Sequence, residues 1–214
     1  VITSVADNNI FLELRENYAE NIITGFAKFD GVTTGIVANN GLLNVEAAKK
    51  ASEFINTCDA FNIPVLTLTN VEGFATTVEE ETTIACAAAK LTSAFAEADV
   101  PKVNLIAGNA YGSAYVAMNS KHIGADMVFA LPDAKVGMMD SNVAAKIMYA
   151  DDKDTDVAVK AAEFEAQSGT EAAAARGYID SVIAPESARK QLLFAFEMLF
   201  TKSEYPIGKK HGTI

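Results

Sequence analysis

Histidine and cysteine are scarce: the 214 residues hold only His122, His211, Cys58 and Cys86. So few ligands, so far apart, do not assemble a metal cluster at ordinary spacing, and no metal site is expected. Both cysteines fall on the apolar sides of predicted helices, where a buried, reduced thiol is expected in place of a disulfide. Basic charge is short as well. The 17 Lys and Arg stand against 28 Asp and Glu, a net charge of −11, which excludes unassisted binding to nucleic acid or an anionic membrane because both are polyanions. Lys209-Lys210-His211 is only a short basic stretch. No apolar run approaches the ~20 residues of a membrane-spanning helix, and Val1-Ile2-Thr3-Ser4 lacks the basic-then-apolar pattern of a signal peptide, so no membrane insertion and a cytoplasmic location are expected.

Apolar side chains are plentiful, half of all residues, enough for one sizeable core in a single domain over 1–214. Phe11, Leu14 and Tyr18 at helical spacing predict a helix over 10–18, and Ile22 to Phe29 reads as a strand that turns at Asp30-Gly31 into a second, Thr34 to Ala38. Asn44 is the expected N-cap of a helix that buries Val45, Ala48, Ala51, Phe54, Ile55, Cys58 and Phe61. Pro64 stops it and opens a strand, Val65 to Thr69, that Gly73 breaks. One long helix from Val78 to Ala98, with Ile84, Ala88, Leu91, Phe95 and Ala98 buried, leads to Pro101 and a buried strand, Val103 to Ala107. The alternation predicts a mostly parallel sheet covered by helices, with ligands at the strand-to-helix turns.

Two short strands, Met127 to Leu131 and Lys135 to Met138, then a helix over 142–149, follow. Residues 151–200 read as a mostly helical outer layer: the charged run 151–156 is no calcium loop, since its sixth and twelfth places hold Asp156 and Ala162. Tyr178 to Ile183 reads as a last strand, and Pro185 opens a helix burying Ala188, Leu192, Leu193, Phe196, Leu199 and Phe200.

The turn from Ala107 to Ser120 is the centre of the chain. A buried strand runs through Gly108 and Gly112 into a helix carrying Ala114, Val116, Ala117 and Met118, and the small Gly112, Ser113 and Ala114 let a ligand approach backbone N–H groups at a partly positive helix start. An oxyanion is stabilised by such a turn. The same residues also suit a tight turn packed for its own sake.

Motifs along nearly the whole chain carry a resemblance. They include Tyr18-Ala19-Glu20-Asn21-Ile22-Ile23-Thr24-Gly25-Phe26-Ala27, Gly35-Ile36-Val37-Ala38-Asn39, Cys58-Asp59-Ala60-Phe61-Asn62-Ile63-Pro64, Ala110-Tyr111-Gly112-Ser113-Ala114-Tyr115, Met118-Asn119-Ser120-Lys121, Arg176-Gly177-Tyr178-Ile179-Asp180 and Lys209-Lys210-His211-Gly212. In that order they resemble the C-terminal half of the carboxyltransferase subunits of biotin-dependent acyl-CoA carboxylases and decarboxylases, of the propionyl-CoA and methylmalonyl-CoA type. The resemblance implies an α/β crotonase fold of repeated ββα units with flanking helices. It implies an enzyme that passes a carboxyl group between biotin on a biotin carboxyl carrier protein and the α-carbon of an acyl-CoA. The backbone N–H groups of Ser113 and Ala114, shaped by Gly112, would hold the biotin ureido oxyanion. Gly73, Phe74, Tyr111, Tyr115 and Val116 would line the biotin side, Val116 towards the acyl group. The family's N-terminal half, which carries most of the CoA site, is not in this sequence and is expected as a separate subunit or a removed part; a homo-oligomer, at least a dimer, is also implied.

The sequence departs from the family at Glu72-Gly73-Phe74 with Ala75-Thr76-Thr77, at Cys86-Ala87-Ala88-Ala89-Lys90, at Ser113 in place of glycine, and at Met138-Met139-Asp140. These departures keep a non-catalytic scaffold open as the alternative. Two other readings are weaker: a hydratase or isomerase using Glu79 and Glu80, which better suit a helix start, and a serine hydrolase using Ser113, His122 and Asp126, which lacks the nucleophile-elbow glycine because Tyr115 stands there.

Overall fold

The computed structural model describes residues 1–151 and 156–203. The Lys209-Lys210-His211 stretch and most of the charged run lie outside them. Among the described residues, nine strands form one sheet. It opens with an antiparallel meander, β1 (Phe11–Leu14), β2 (Ile22–Phe29) and β3 (Val32–Asn39). The hairpin between β2 and β3 turns at Asp30 and Gly31, whose φ values of 50° and 79° are those a two-residue turn of the right twist requires.

Strand β1 corrects the helix expected over 10–18. The i, i+3 spacing of Phe11 and Leu14 yields to pairing with β2: Phe11 stands opposite Ala27, and its ring covers Gly25, where a Cβ would lie 2.7 Å from it. Arg15 and Ala19 then take positive φ, which no helix continues.

The rest of the sheet is parallel, in the order β3, β5 (Val65–Phe74), β6 (Lys102–Tyr111), β7 (Met127–Ala130), β9 (Ser181–Val182); the short β4 (Gly41–Leu43) pairs with β5, and β8 (Lys135–Gly137) with β6. Helices cover both faces. At the N-terminus lies α1 (Ile2–Val5), and α2 (Val45–Ala60) follows β4, its N-cap Asn44 accepting the Ala47 N–H at 2.8 Å. The expected single helix over 78–98 is two, α3 (Val78–Glu81) and α4 (Ile84–Glu97), broken at Thr82 and Thr83. Past β6 come α5 (Gly112–Ala117), α6 (Ser141–Met148), α7 (Val157–Ser168), α8 (Thr170–Ala175) and α9 (Ala188–Met198).

Helices α2 and α4 pack on one face around Val37, Ala51, Ile55, Leu91 and Phe95; α1 and α9 close the other over Ile36, Leu66, Leu105 and Leu192. Burial on both faces explains why the parallel strands read as continuous apolar runs. Three side chains expected in the core are outside it. Phe61 and Phe200 lie just past the ends of α2 and α9, where helical phase no longer holds, and are 73 % and 79 % exposed. Cys86 is on the outer side of α4 and exposed. Cys58 is buried as a free thiol, its Sγ 2.5 Å from where a Cβ on Gly35 would stand, and burial pushes it up to about 12. No described helix is long and apolar enough to cross a membrane.

Candidate functional site

The expected break at Gly73 does not occur, since β5 runs on to Phe74, and β6 continues past the expected Ala107 to Tyr111. What changes instead is the pairing between them. Thr69 stands opposite Ile106, but Val71 stands opposite Ala110, so β6 advances four residues while β5 advances two. The last pair of this register, Val71–Ala110, stands two residues before Gly73 on β5 and two residues before Gly112, so the two glycines are equally far past it. On its other side Gly73 is flanked by Leu42 of β4.

Gly112 turns the chain from strand to helix at φ 61°, a conformation L side chains avoid. A Cβ there would also meet the Met138 carbonyl at 3.1 Å, because β8 pairs Gly137 with Tyr111 and brings Met138 alongside. Helix α5 begins at once. Its N-cap is Tyr111, no side chain caps it, and the N–H groups of its first turn, Ser113 and Ala114 among them, have no helical carbonyl behind them. Ser113 is exposed, whereas Ala114 and Tyr115 are buried. Val116 and Phe74 are half-buried and pack against the core under α2 and α4.

A six-residue helix cannot hold itself in place, and α5 is fixed from its far end. The buried Asn104 side chain of β6 donates to the Met118 and Asn119 carbonyls at 3.1 and 2.8 Å and accepts from Thr69 Oγ1 at 2.9 Å. Asn119, in the left-handed region at φ 52°, donates to Thr67 Oγ1 at 3.1 Å. These asparagines escaped the sequence reading. Their signal is an amide within or beside an apolar run, which burial obliges to bridge neighbouring backbone.

Tyr111 and Tyr115 are both buried, and burial raises both phenols above their ordinary range, Tyr115 to about 12. Both are therefore neutral at any working pH. The Tyr111 ring reaches over Gly137, towards the Lys135–Glu165 ion pair that ties β8 to α7, and Ser141 donates to the same Glu165 at 2.8 Å.

The rival constellations are not assembled. Asp126 accepts the Lys102 N–H at 2.7 Å and pairs with Lys202 at 3.0 Å, while His122 lies against the Tyr115 and Tyr178 rings, so no described hydrogen bond joins either to Ser113. Glu80 is engaged with the start of α2, accepting the Val45 N–H at 2.7 Å. No group of three or more metal-ligating side chains occurs among the described residues.

A family model described as carboxyl transferase domain matches residues 1–214. The chain is 43 % identical over 227 residues to the methylmalonyl-CoA decarboxylase subunit alpha of Propionigenium modestum, covering all of this chain and 44 % of that protein. It is 41 % identical over 231 residues to the propionyl-CoA carboxylase beta chain of Saccharopolyspora erythraea, covering all of this chain and 42 % of that one. The crystal structure of transcarboxylase 12S, a hexamer with methylmalonyl-CoA and methylmalonic acid bound, superposes with a TM-score of 0.95 at 39 % identity over 99 % of this chain and 43 % of that one. The chain thus spans less than half the length of the proteins it matches, and its sheet with flanking helices is their fold.

Proposed function

The chain belongs to the carboxyl transferase domain family, and from that premise we propose that it is the biotin-side half of a biotin-dependent acyl-CoA carboxyltransferase. The observation that carries the reading is the Gly112 turn: a left-handed glycine, as far past the Val71–Ala110 pair as Gly73 is, opening a helix whose first turn, with Ser113 and Ala114, no side chain caps.

Biotin presents a small ring system with one strong acceptor, its ureido oxygen. The residues present fit such a group. Glycines 73 and 112 carry no side chain to block the approach, two N–H groups lie in the uncapped first turn of α5, and the half-buried Phe74 offers an apolar wall. Bound there, biotin would supply the carboxyl group and a basic ring nitrogen. The chain's own contribution is electrostatic. The N–H groups of Ser113 and Ala114 stabilise negative charge as it gathers on the acceptor oxygen, each such donor being worth roughly 100- to 1000-fold in rate. Replacing Gly by Ser at 113 leaves both donors in place, because they are backbone. The neutral Tyr111 and Tyr115 bring no competing negative charge to the turn.

The partners proposed are a biotin carboxyl carrier protein, the complementary carboxyltransferase half bearing the acyl-CoA site, and further copies of this chain. Cytoplasm is the proposed location. Support for assembly comes from the hexamer of transcarboxylase 12S and from exposed Met138, next to the turn, and exposed Val143, Ile147 and Met148 on α6. Light scattering at micromolar concentration should show at least a dimer, and a clean monomer contradicts that part of the reading.

The chain alone should not carboxylate propionyl-CoA. Mixed with a matching N-terminal half and a biotinylated carrier it should do so, and avidin should abolish the activity. Robust turnover by the chain alone, indifferent to avidin, overturns the biotin reading; a stable assembly that never turns over establishes the scaffold alternative.

A further inference from the structure

The two turns of the proposed site come from different strands, and neither strand alone decides how far each turn reaches. Their relative height is set by the interruption between Thr69–Ile106 and Val71–Ala110, where the single residue Asn70 on β5 faces Ala107, Gly108 and Asn109 on β6. The Asn70 carboxamide fills this gap. Its Oδ1 accepts the Asn109 N–H at 2.8 Å, and its Nδ2 donates to Asn40 Oδ1 at 2.7 Å. The Asn70 backbone is held too: its N–H donates to Asn39 Oδ1 at 3.1 Å, and its carbonyl accepts from Asn39 Nδ2 at 3.1 Å. Gly108 completes the fit. A Cβ on Gly108 would lie 2.4 Å from Asn70 Oδ1, inside the carboxamide, although the Gly108 backbone itself is not in the left-handed region.

A parallel pair without this insertion would keep the Thr69–Ile106 offset and set Gly73 beside Ala110, two residues short of the Gly112 turn. The donors of Ser113 and Ala114 would then project past the Phe74 wall in place of facing it. Extra residues in a ladder are unpaired and costly unless something takes their hydrogen bonds. Here the Asn70 side chain takes the Asn109 N–H.

We infer that Asn70 is a positioning residue for carboxyl transfer: its carboxamide, seated in the space Gly108 leaves, locks the two-residue register offset that sets the Gly73–Phe74 wall abreast of the Ser113–Ala114 donors. This rests on the carboxyltransferase reading of those turns. Asn70 touches no reacting atom; it acts through Asn109 and the end of β6.

The test uses the reconstituted assembly with a biotinylated carrier, propionyl-CoA as probe, and four variants: Asn70→Ala, Asn70→Asp, Gly108→Ala and the Asn70→Ala/Gly108→Ala pair. Misplacement by about 1 Å at a reacting site costs roughly 100-fold, so Asn70→Ala should lower kcat by about that factor. Its KM for propionyl-CoA, bound by the other half, should stay within about twofold. Asn70→Asp keeps an acceptor for the Asn109 N–H, and the exposed Asn40 amide can turn its NH2 towards the new carboxylate oxygen, so this variant should recover most of the turnover. Gly108→Ala should be as harmful as Asn70→Ala alone and harmless on top of it, since the carboxamide it would strike is already gone. Hydrogen exchange at the Asn109 amide should accelerate in Asn70→Ala and not in Asn70→Asp.

Asn70→Ala turnover close to wild type, Gly108→Ala equally damaging in both backgrounds, or Asn109 exchange unchanged in Asn70→Ala overturns the inference. If Asn70→Ala does not assemble, Asn70→Asp and Gly108→Ala still decide it, by recovery of turnover in the first and loss in the second. A wild-type assembly with no carboxyl transfer at all contradicts the functional reading itself, and the inference falls with it.

Discussion

The Glu80 carboxylate of α3 accepts the backbone N–H of Val45 at 2.7 Å, so the first turn of α2 is capped from another element as well as by its own Asn44. With the Ala75 N–H bound to the Leu43 carbonyl at 2.9 Å, this fastens both ends of the segment that follows Gly73 and Phe74. Glu80→Ala should cost about 1 kcal/mol, the usual worth of a cap, read as a lower urea midpoint. Glu80→Gln keeps an acceptor oxygen and should cost less. Equal stability of Glu80→Ala and wild type contradicts the capping role.

Much of this was legible in the sequence. Asn44 and the apolar positions at helical spacing mark α2, Asp30-Gly31 marks the hairpin, and the small residues after β6 mark the turn. Phe11 to Leu14 was not, because four residues with apolar ends satisfy a helical and an extended pattern equally until β2 supplies a partner. The equal reach of Gly73 and Gly112 past the Val71–Ala110 pair was also hidden, for it depends on a cross-strand offset that appears only when Asn70 and Gly108 are seen face to face. Glu80 could be placed at a helix start, but not at the start of a different helix.

Tyr115 offers a test with the opposite sign. Its hydroxyl is buried and has no hydrogen-bond partner among the described residues. Burial, with Tyr178 nearby, pushes the phenol up to about 12. Removing a buried polar group that lacks a partner relieves a desolvation cost of about 1 kcal/mol or more, so Tyr115→Phe should raise the thermal midpoint and leave the turn intact. A clear drop in melting temperature would show that the hydroxyl has a structural partner.

Acid should loosen the chain at the β2–β3 hairpin. Asp7 pairs with Arg189 Nη2 at 2.6 Å and accepts the Gly31 and Asp30 N–H groups at 2.8 and 3.2 Å. The Arg189 hydrogen bond, then that from Gly31, hold its carboxyl below the ordinary value of 3.8. The folded state therefore binds this proton more weakly than the unfolded one. Its stabilisation is present above 3.8 and is lost as pH falls through the lower, folded value. Urea midpoints measured from about pH 6 to about pH 3 should fall less steeply in Asp7→Asn than in wild type. Parallel curves would exclude Asp7 as a source of the acid sensitivity.

The most direct test of the central claim, that backbone donors of the Gly112 turn hold the oxyanion, is the rate of avidin-sensitive carboxyl transfer by Ser113→Ala and Ser113→Pro in the reconstituted assembly. Alanine keeps the N–H and proline deletes it, at a helix position that tolerates proline. With light scattering and thermal melts showing both variants assembled and folded, Ser113→Ala should retain most activity and Ser113→Pro should lose roughly 100- to 1000-fold. Equal collapse of the two folded variants would contradict the account, because it would place the function of this residue in its side chain.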